Sequence, residues 1–170
     1  MILKIDDWEF DIDMERTMAY SAEEAAGHCD CAYCRNFYAV VDVDYPELRP
    51  FLAKFGIDLD APDELMPYDC AGDMHYNGIY MVCGKILQRG SKPLLDRGDL
   101  TVEARPYEDG PHVPHCCPEP NFALDVGTVI LPWVLDEPME ETISPANEPS
   151  FLKKMWDRLL GKLKAEGPVS

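Results

Sequence analysis

The chain has 170 residues, enough for one globular domain with a proper hydrophobic core. Apolar residues make up 46% of it and aromatic residues 10%, a composition that excludes a chain disordered throughout. Its formal charge of -17 repels phosphate backbones and anionic headgroups, so direct nucleic-acid binding is disfavoured, whereas a basic protein partner, a cation or plain solubility each suits the field.

The first residues, Met1-Ile2-Leu3-Lys4-Ile5-Asp6-Asp7-Trp8, meet acidic side chains at once and do not read as a secretory signal. The longest apolar stretch, Val126 to Leu135, is broken by Gly127, Thr128 and Pro132 and spans about half of the roughly 20 residues that a membrane helix needs, so no integral membrane segment is expected. Seven cysteines, an odd number without an export signal, suit a reducing compartment, and the expected location is the cytoplasm.

In chain order, Ile5, Trp8, Phe10, Ile12 and Met14 alternate with acidic residues, the period of a strand with one buried face. Ser21 suits the cap of a short turn through Glu23, Glu24 and Ala26, which Gly27 ends. A helix is expected to open at Cys31 or Ala32 and run through Phe37 to Val41. Leu48, Phe51, Leu52 and Phe55 then form an i, i+3, i+4, i+7 stripe between Pro46 and Gly56, a helix docked on a core. The acidic stretch from Asp58 to Asp69 carries Pro62 and Pro67 and reads as irregular until about Gly72.

Strands are expected over Met74 to Leu87, with Asn77-Gly78 as a turn or bulge, over Leu100 to Ala104, and over Phe122 to Leu135. No strand pair is separated by a crossover helix. The expected class is therefore α+β, a mostly antiparallel sheet with helices packed on one side and an amphipathic C-terminal helix. Residues 1–135 form the single domain and 136–149, with five acidic residues and three prolines, a stiff linker. Residues 150–165 form the last helix. There Phe151, Leu152, Met155, Trp156, Leu159, Leu160 and Leu163 share one face, and five positive charges outnumber two negative ones between Phe151 and Glu166. Such a helix docks on the acidic body, or serves a homodimer or another partner's acidic surface.

Two groups of sulfur and imidazole stand out, His28-Cys29-Asp30-Cys31-Ala32-Tyr33-Cys34 and His115-Cys116-Cys117. Cys31 and Cys34, with two residues between them, can offer both sulfurs to one ion when the intervening backbone turns. A closed tetrahedral zinc site needs two more ligands. His115 and Cys116 are the candidates if the fold brings the distant loop home, with Cys29, His28 and Cys117 as substitutes. Free, partly buried thiols are the plainer alternative.

The same cysteines suit redox chemistry. Cys31-Ala32-Tyr33-Cys34 followed by Arg35 looks like the Cys-Pro-Tyr-Cys active site of glutaredoxins, but no buried strand leads directly into it, and the nearby carboxylates are expected to raise a thiol pKa. His75, His112 and His115, with Asp73, Asp109 and Glu119, have no spacing that demands an acid/base site. His-Glu-x-x-His, Gly-x-Ser-x-Gly and Gly-rich phosphate motifs are all missing from the sequence.

The segment Cys31-Ala-Tyr-Cys34-Arg35-Asn36-Phe37, with Phe55-Gly56-Ile57-Asp58 and Tyr76-Asn-Gly-Ile-Tyr80, resembles a group of small acidic bacterial proteins of unknown function that carry a CxxCRNF-like segment. The resemblance implies no activity, catalytic residue or cofactor. It makes the cysteine pair and the Asn36-Phe37 step one unit, with Asn36 bonding the turn backbone and Phe37 entering the core. Taken together, the sequence favours a binding protein over a catalyst, with a structural zinc or thiol cluster and a basic protein partner that it neutralises. The alternative is a thiol-disulfide oxidoreductase or metal-dependent enzyme using Cys31 and Cys34.

Overall fold

The structure, a computed structural model, describes residues 1–27, 29–70, 73–109 and 115–139. A hairpin opens it, β1 (Ile2–Ile5) and β2 (Trp8–Ile12), in antiparallel register from Ile2 opposite Asp11 to Ile5 opposite Trp8. One strand was expected from Ile5 through Met14, but Asp6 turns the chain at a positive φ of 49° and Met14 already starts a helix. Asp and Asn tolerate that left-handed conformation better than other side chains, which is how a strand-like alternation conceals a turn.

The first helix, α1 (Met14–Ala26), is longer than the short turn expected after Ser21. Its cap is Asp13, whose carboxylate accepts the Arg16 amide at 3.2 Å, and Ser21 sits inside the helix, where its Oγ accepts the Asp58 amide at 2.9 Å. The buried face of α1 is made of Thr17, Tyr20 and Ser21, so the hydrophobic period that announces a helix was absent from the sequence. By contrast α2 (Ala32–Asp44) opens where expected and buries Cys34, Phe37 and Val41. The stripe Leu48, Phe51, Leu52 and Phe55 is buried along α3 (Leu48–Leu52) and the 3-10 turn Ala53–Phe55. Gly56 ends it at a φ of 83°, the left-handed stop that its lack of a Cβ permits.

Among the described residues five more strands make the sheet seven-stranded: β3 (Glu64–Cys70), β4 (Asp73–Gln88), β5 (Leu95–Asp96), β6 (Thr101–Pro106) and β7 (Asn121–Leu131). The order is β1-β2-β4-β7-β6-β5, with β3 also paired to β4, and every pairing is antiparallel. The fold is α+β. The stretch expected to be irregular up to Gly72 contains β3. Among the described residues it pairs with β4 alone, and such an edge position tolerates Pro67, which has no amide hydrogen to offer a second neighbour. The register of β4 on β7 shifts between Tyr76 and Gly78, a bulge where Asn77-Gly78 suggested one.

The organising strand is β4. Its first half pairs with β3 and its last residues with β2, while β7 lines the other edge. Between β3 and β2 two side chains take over as hydrogen-bond partners: Asp63 Oδ2 accepts the Met81 amide at 2.7 Å and Thr17 Oγ1 accepts the Cys83 amide at 3.1 Å. At Gly84 the β2 backbone approaches so closely that a Cβ would lie 2.3 Å from the Asp11 carbonyl oxygen.

Alternation along β4 separates two apolar clusters. Tyr76, Tyr80 and Val82 join the main core with Phe10, Phe37, Leu48, Leu52, Phe55, Phe122 and Leu124. Ile79, Met81 and Cys83 form a smaller cluster with Tyr20 of α1, Cys117 and Ala123. Helices were expected on one side of the sheet, but α2 and α3 serve the main core, whereas α1 contributes Tyr20 to the second cluster on the opposite face of β4. Residues 136–139, where a linker was expected to begin, return to the body: Met139 packs on the core and the Trp133 Nε1 hydrogen bonds the Glu137 carbonyl at 2.8 Å. The rest of that linker and the expected helix over 150–165 lie outside the described residues. Among the described residues no helix is long and apolar enough to cross a membrane.

Candidate metal centre

Cys29 and Cys31 lie just ahead of α2, with Cys31 at its N-cap in an extended conformation, and Cys34 occupies the first turn. The three sulfurs lie within 4.8 Å of one another, with Cys29 and Cys31 exposed and Cys34 buried. A tetrahedral ion with metal–sulfur bonds of about 2.3 Å has sulfur–sulfur edges of about 3.8 Å, so small side-chain movements suffice to close the three on one ion. They line a cleft of about 320 Å³ whose other walls include Glu24, Tyr38, Asp63 and Glu64.

The three thiols are electrostatically unequal. Partial burial pushes the Cys31 thiol up, but the amide hydrogens of Cys34 and Tyr33 and the thiols of Cys29 and Cys34 outweigh it and hold Cys31 below the usual thiol range. Carboxylates were expected to raise this thiol; the amides of the helix start touch the sulfur directly and prevail. Cys34 behaves oppositely, since burial and then its two sulfur neighbours push its thiol up. A soft cation suits such a set, because it replaces the thiol protons with one shared charge.

The residues on the C-terminal side of the cysteines fix the site to the body. Tyr33 meets the Trp133 ring edge-on at 5.7 Å and its carbonyl accepts the Tyr76 hydroxyl at 3.1 Å. Arg35 pairs with Glu137. Asn36, fully buried, does not bond the turn backbone as expected: its Nδ2 donates to the Tyr76 hydroxyl and to the Pro132 carbonyl, both at 3.1 Å, and its Oδ1 accepts the Val134 amide at 2.8 Å. Phe37 enters the core against Tyr76, as expected. Cys31 to Phe37 is thus one unit, tied by successive side chains to the segment after β7.

The distant group goes elsewhere. Cys117 is buried with its sulfur 3.4 Å from that of Cys83. His115 Nδ1 accepts the Cys117 amide at 3.1 Å, and its ring meets Tyr107 edge-on at 4.4 Å. Cys116 is exposed. Among the described residues, the cluster fit for a metal therefore joins Cys31 and Cys34 to Cys29 and includes neither His115 nor Cys116 nor Cys117. His28 lies outside the described residues. Of the other histidines, His75 packs on Tyr68 at 5.2 Å and His112 also lies outside them. The Cys83–Cys117 contact had no signal in the sequence, because a strand cysteine on an apolar face reads as core.

Asp63, another residue that sequence reasoning passed over, is mostly buried. Burial raises its carboxyl above the ordinary range despite bonds from the Tyr20 hydroxyl and the Met81 amide. Its position in the gap between β3 and β2 explains it as a backbone cap. The chain matches no family model, no curated protein and no solved structure.

Proposed function

We propose that Cys29, Cys31 and Cys34 hold one zinc ion and that the protein is a metal-stabilised recognition domain, not a catalyst. The observation that carries this reading is the convergence of three sulfurs within 4.8 Å at the start of α2. Zinc there fixes the entry to α2, and the bonds of Tyr33, Arg35 and Asn36 pass that order to the segment after β7. On this proposal the segment from Cys31 to Phe37 is one structural unit. The recognition surface is the acidic body, whose charge of -17 suits a basic protein partner and accelerates its approach.

Protein purified without chelator should carry one zinc per chain, and Cys29→Ser, Cys31→Ser and Cys34→Ser should each lose it. Replacing His28, the neighbour of Cys29 in sequence, tests it as the fourth ligand. Metal-free protein with full thermal stability would remove the proposal. Affinity for a cationic protein should fall steeply with added salt, and insensitivity to salt would remove the partner assignment.

One observation favours a second reading, thiol–disulfide exchange at Cys31, namely that its thiol lies below the usual range beside an open cleft. Zinc-loaded protein in which Cys31 resists alkylation excludes it, and rapid turnover of a small disulfide by metal-free protein supports it.

A further inference from the structure

A second pair of sulfurs lies away from the candidate metal centre, with a different chemistry. Cys83 on β4 and Cys117 in the segment leading to β7 are both buried, and their sulfurs are 3.4 Å apart. A disulfide bond is about 2.05 Å long, so closing it asks the sulfurs to move together by about 1.4 Å, within reach of side-chain torsion. Both partners are held in place. The Cys83 amide donates to Thr17 Oγ1, the Asn121 Nδ2 bonds the Cys117 carbonyl at 3.1 Å, and the Gly84 amide bonds the Pro120 carbonyl at 2.7 Å. Burial alone does not require sulfur at both positions, since the cluster around them is built from Tyr20, Ile79, Met81 and Ala123.

We propose that Cys83 and Cys117 are a covalent modification site, a dithiol that a small-molecule disulfide such as oxidised glutathione converts to an intramolecular disulfide.

Cys117 reacts first, because it is 5% exposed and adjoins exposed Cys116 in sequence, whereas Cys83 is fully buried. Its thiolate attacks one sulfur of the small disulfide, forming a mixed disulfide and expelling one thiolate, which takes up a proton. The Cys83 thiolate then displaces the second small thiol and forms the Cys83–Cys117 bond. Two electrons pass from the cysteines to the small disulfide, and two small thiols leave. Cys117 is buried, and burial and then the neighbouring Cys83 thiol push its thiol up, so the reaction runs slower than modification of exposed Cys116.

The experiment exposes the zinc-loaded full chain to graded ratios of oxidised to reduced glutathione, quenches in acid, alkylates under denaturing conditions and maps peptides by mass. The expected product is a single linked peptide pair, Cys83 with Cys117, formed after Cys116 has taken a glutathionyl group. Cys116→Ser should still form the link, and Cys83→Ala should leave Cys117 as a stable mixed disulfide. Reduced and oxidised protein should differ in urea midpoint, the oxidised form being the more stable. If Cys83 and Cys117 both remain alkylatable when Cys116 is fully glutathionylated, or if Cys117 links to Cys116 or to the cysteines at 29, 31 and 34, the assignment is overturned. Should Cys83→Ala fail to fold, Cys117→Ala provides the same reading: the proposal expects no link from Cys83, and a link to any other cysteine contradicts it. Absence of zinc from the protein as purified, with the link still formed, would strike the metal proposal and leave this one standing.

Discussion

Asn36→Ala tests whether the cysteine unit is tied to the rest of the fold. The substitution deletes three hydrogen bonds in a fully buried position, to the Tyr76 hydroxyl, the Pro132 carbonyl and the Val134 amide. Val134 is half-exposed, so water can replace its lost acceptor, and Tyr76 keeps its bond to the Tyr33 carbonyl. Pro132 is exposed as well, so its carbonyl also turns to water, and one side of the buried Tyr76 hydroxyl is left without a partner. At about 1–3 kcal/mol for that one unsatisfied buried group, together with a small cavity, the expected loss is about 2 kcal/mol. Urea unfolding followed by tryptophan fluorescence measures it, as a lower midpoint with an unchanged slope. Tyr76→Phe should cost about 1 kcal/mol alone, and the double variant should cost less than the sum, since the two side chains share one bond. A loss below about 0.5 kcal/mol for Asn36→Ala would refute the reasoning, because it would mean water already serves these groups.

Three further outcomes are expected. Asp63 has a folded-state carboxyl raised by burial above its ordinary value of 3.8, so its ionised form is the disfavoured one in the fold. Its contribution is fully present below pH 3.8 and is lost as pH rises through the folded value; wild type should therefore gain on Asp63→Asn as pH falls across that window, and a pH-independent difference between the two would contradict it. Arg49 bonds Asp42, Asp58 and Asp60 at 2.7–2.9 Å but is partly exposed, so Arg49→Met should cost only about 1 kcal/mol, a loss that shrinks in high salt when melting curves are compared. Gly84→Ala places a Cβ 2.3 Å from the Asp11 carbonyl oxygen and should separate β2 from β4, seen as a loss of more than about 2 kcal/mol and rapid amide exchange in the hairpin.

Much of this architecture is legible in the residues. The stripe from Leu48 to Phe55 and the stop at Gly56 follow directly from period and backbone freedom, and the long alternation around Ile79 and Met81 announces β4. Two elements were hidden for physical reasons. The α1 helix buries Thr17 and Ser21 through specific hydrogen bonds, so its inner face carries no hydrophobic period. The β3 strand carries a proline that only an edge tolerates, and edge position belongs to the assembled sheet.

The site was legible where its parts are close in sequence. Cys31 and Cys34 are three residues apart on one helix start, and Cys29 is near enough to join them. Whether His115, Cys116 and Cys117 approach them depends on where a segment about eighty residues away returns, which no local pattern encodes; the fold sends Cys117 to Cys83. The Cys31 thiol lies below the usual range, not above it, because its local hydrogen bonds exceed the weight that charge counted along the sequence gives to carboxylates. The amides that decide it appear only once α2 has formed.

The most direct test of the metal centre is X-ray absorption at the zinc edge of the chain purified without chelator. The account predicts a first shell holding three sulfurs at about 2.3 Å, reduced to two in Cys34→Ser. A shell of oxygen and nitrogen alone, unchanged in that variant, would contradict it.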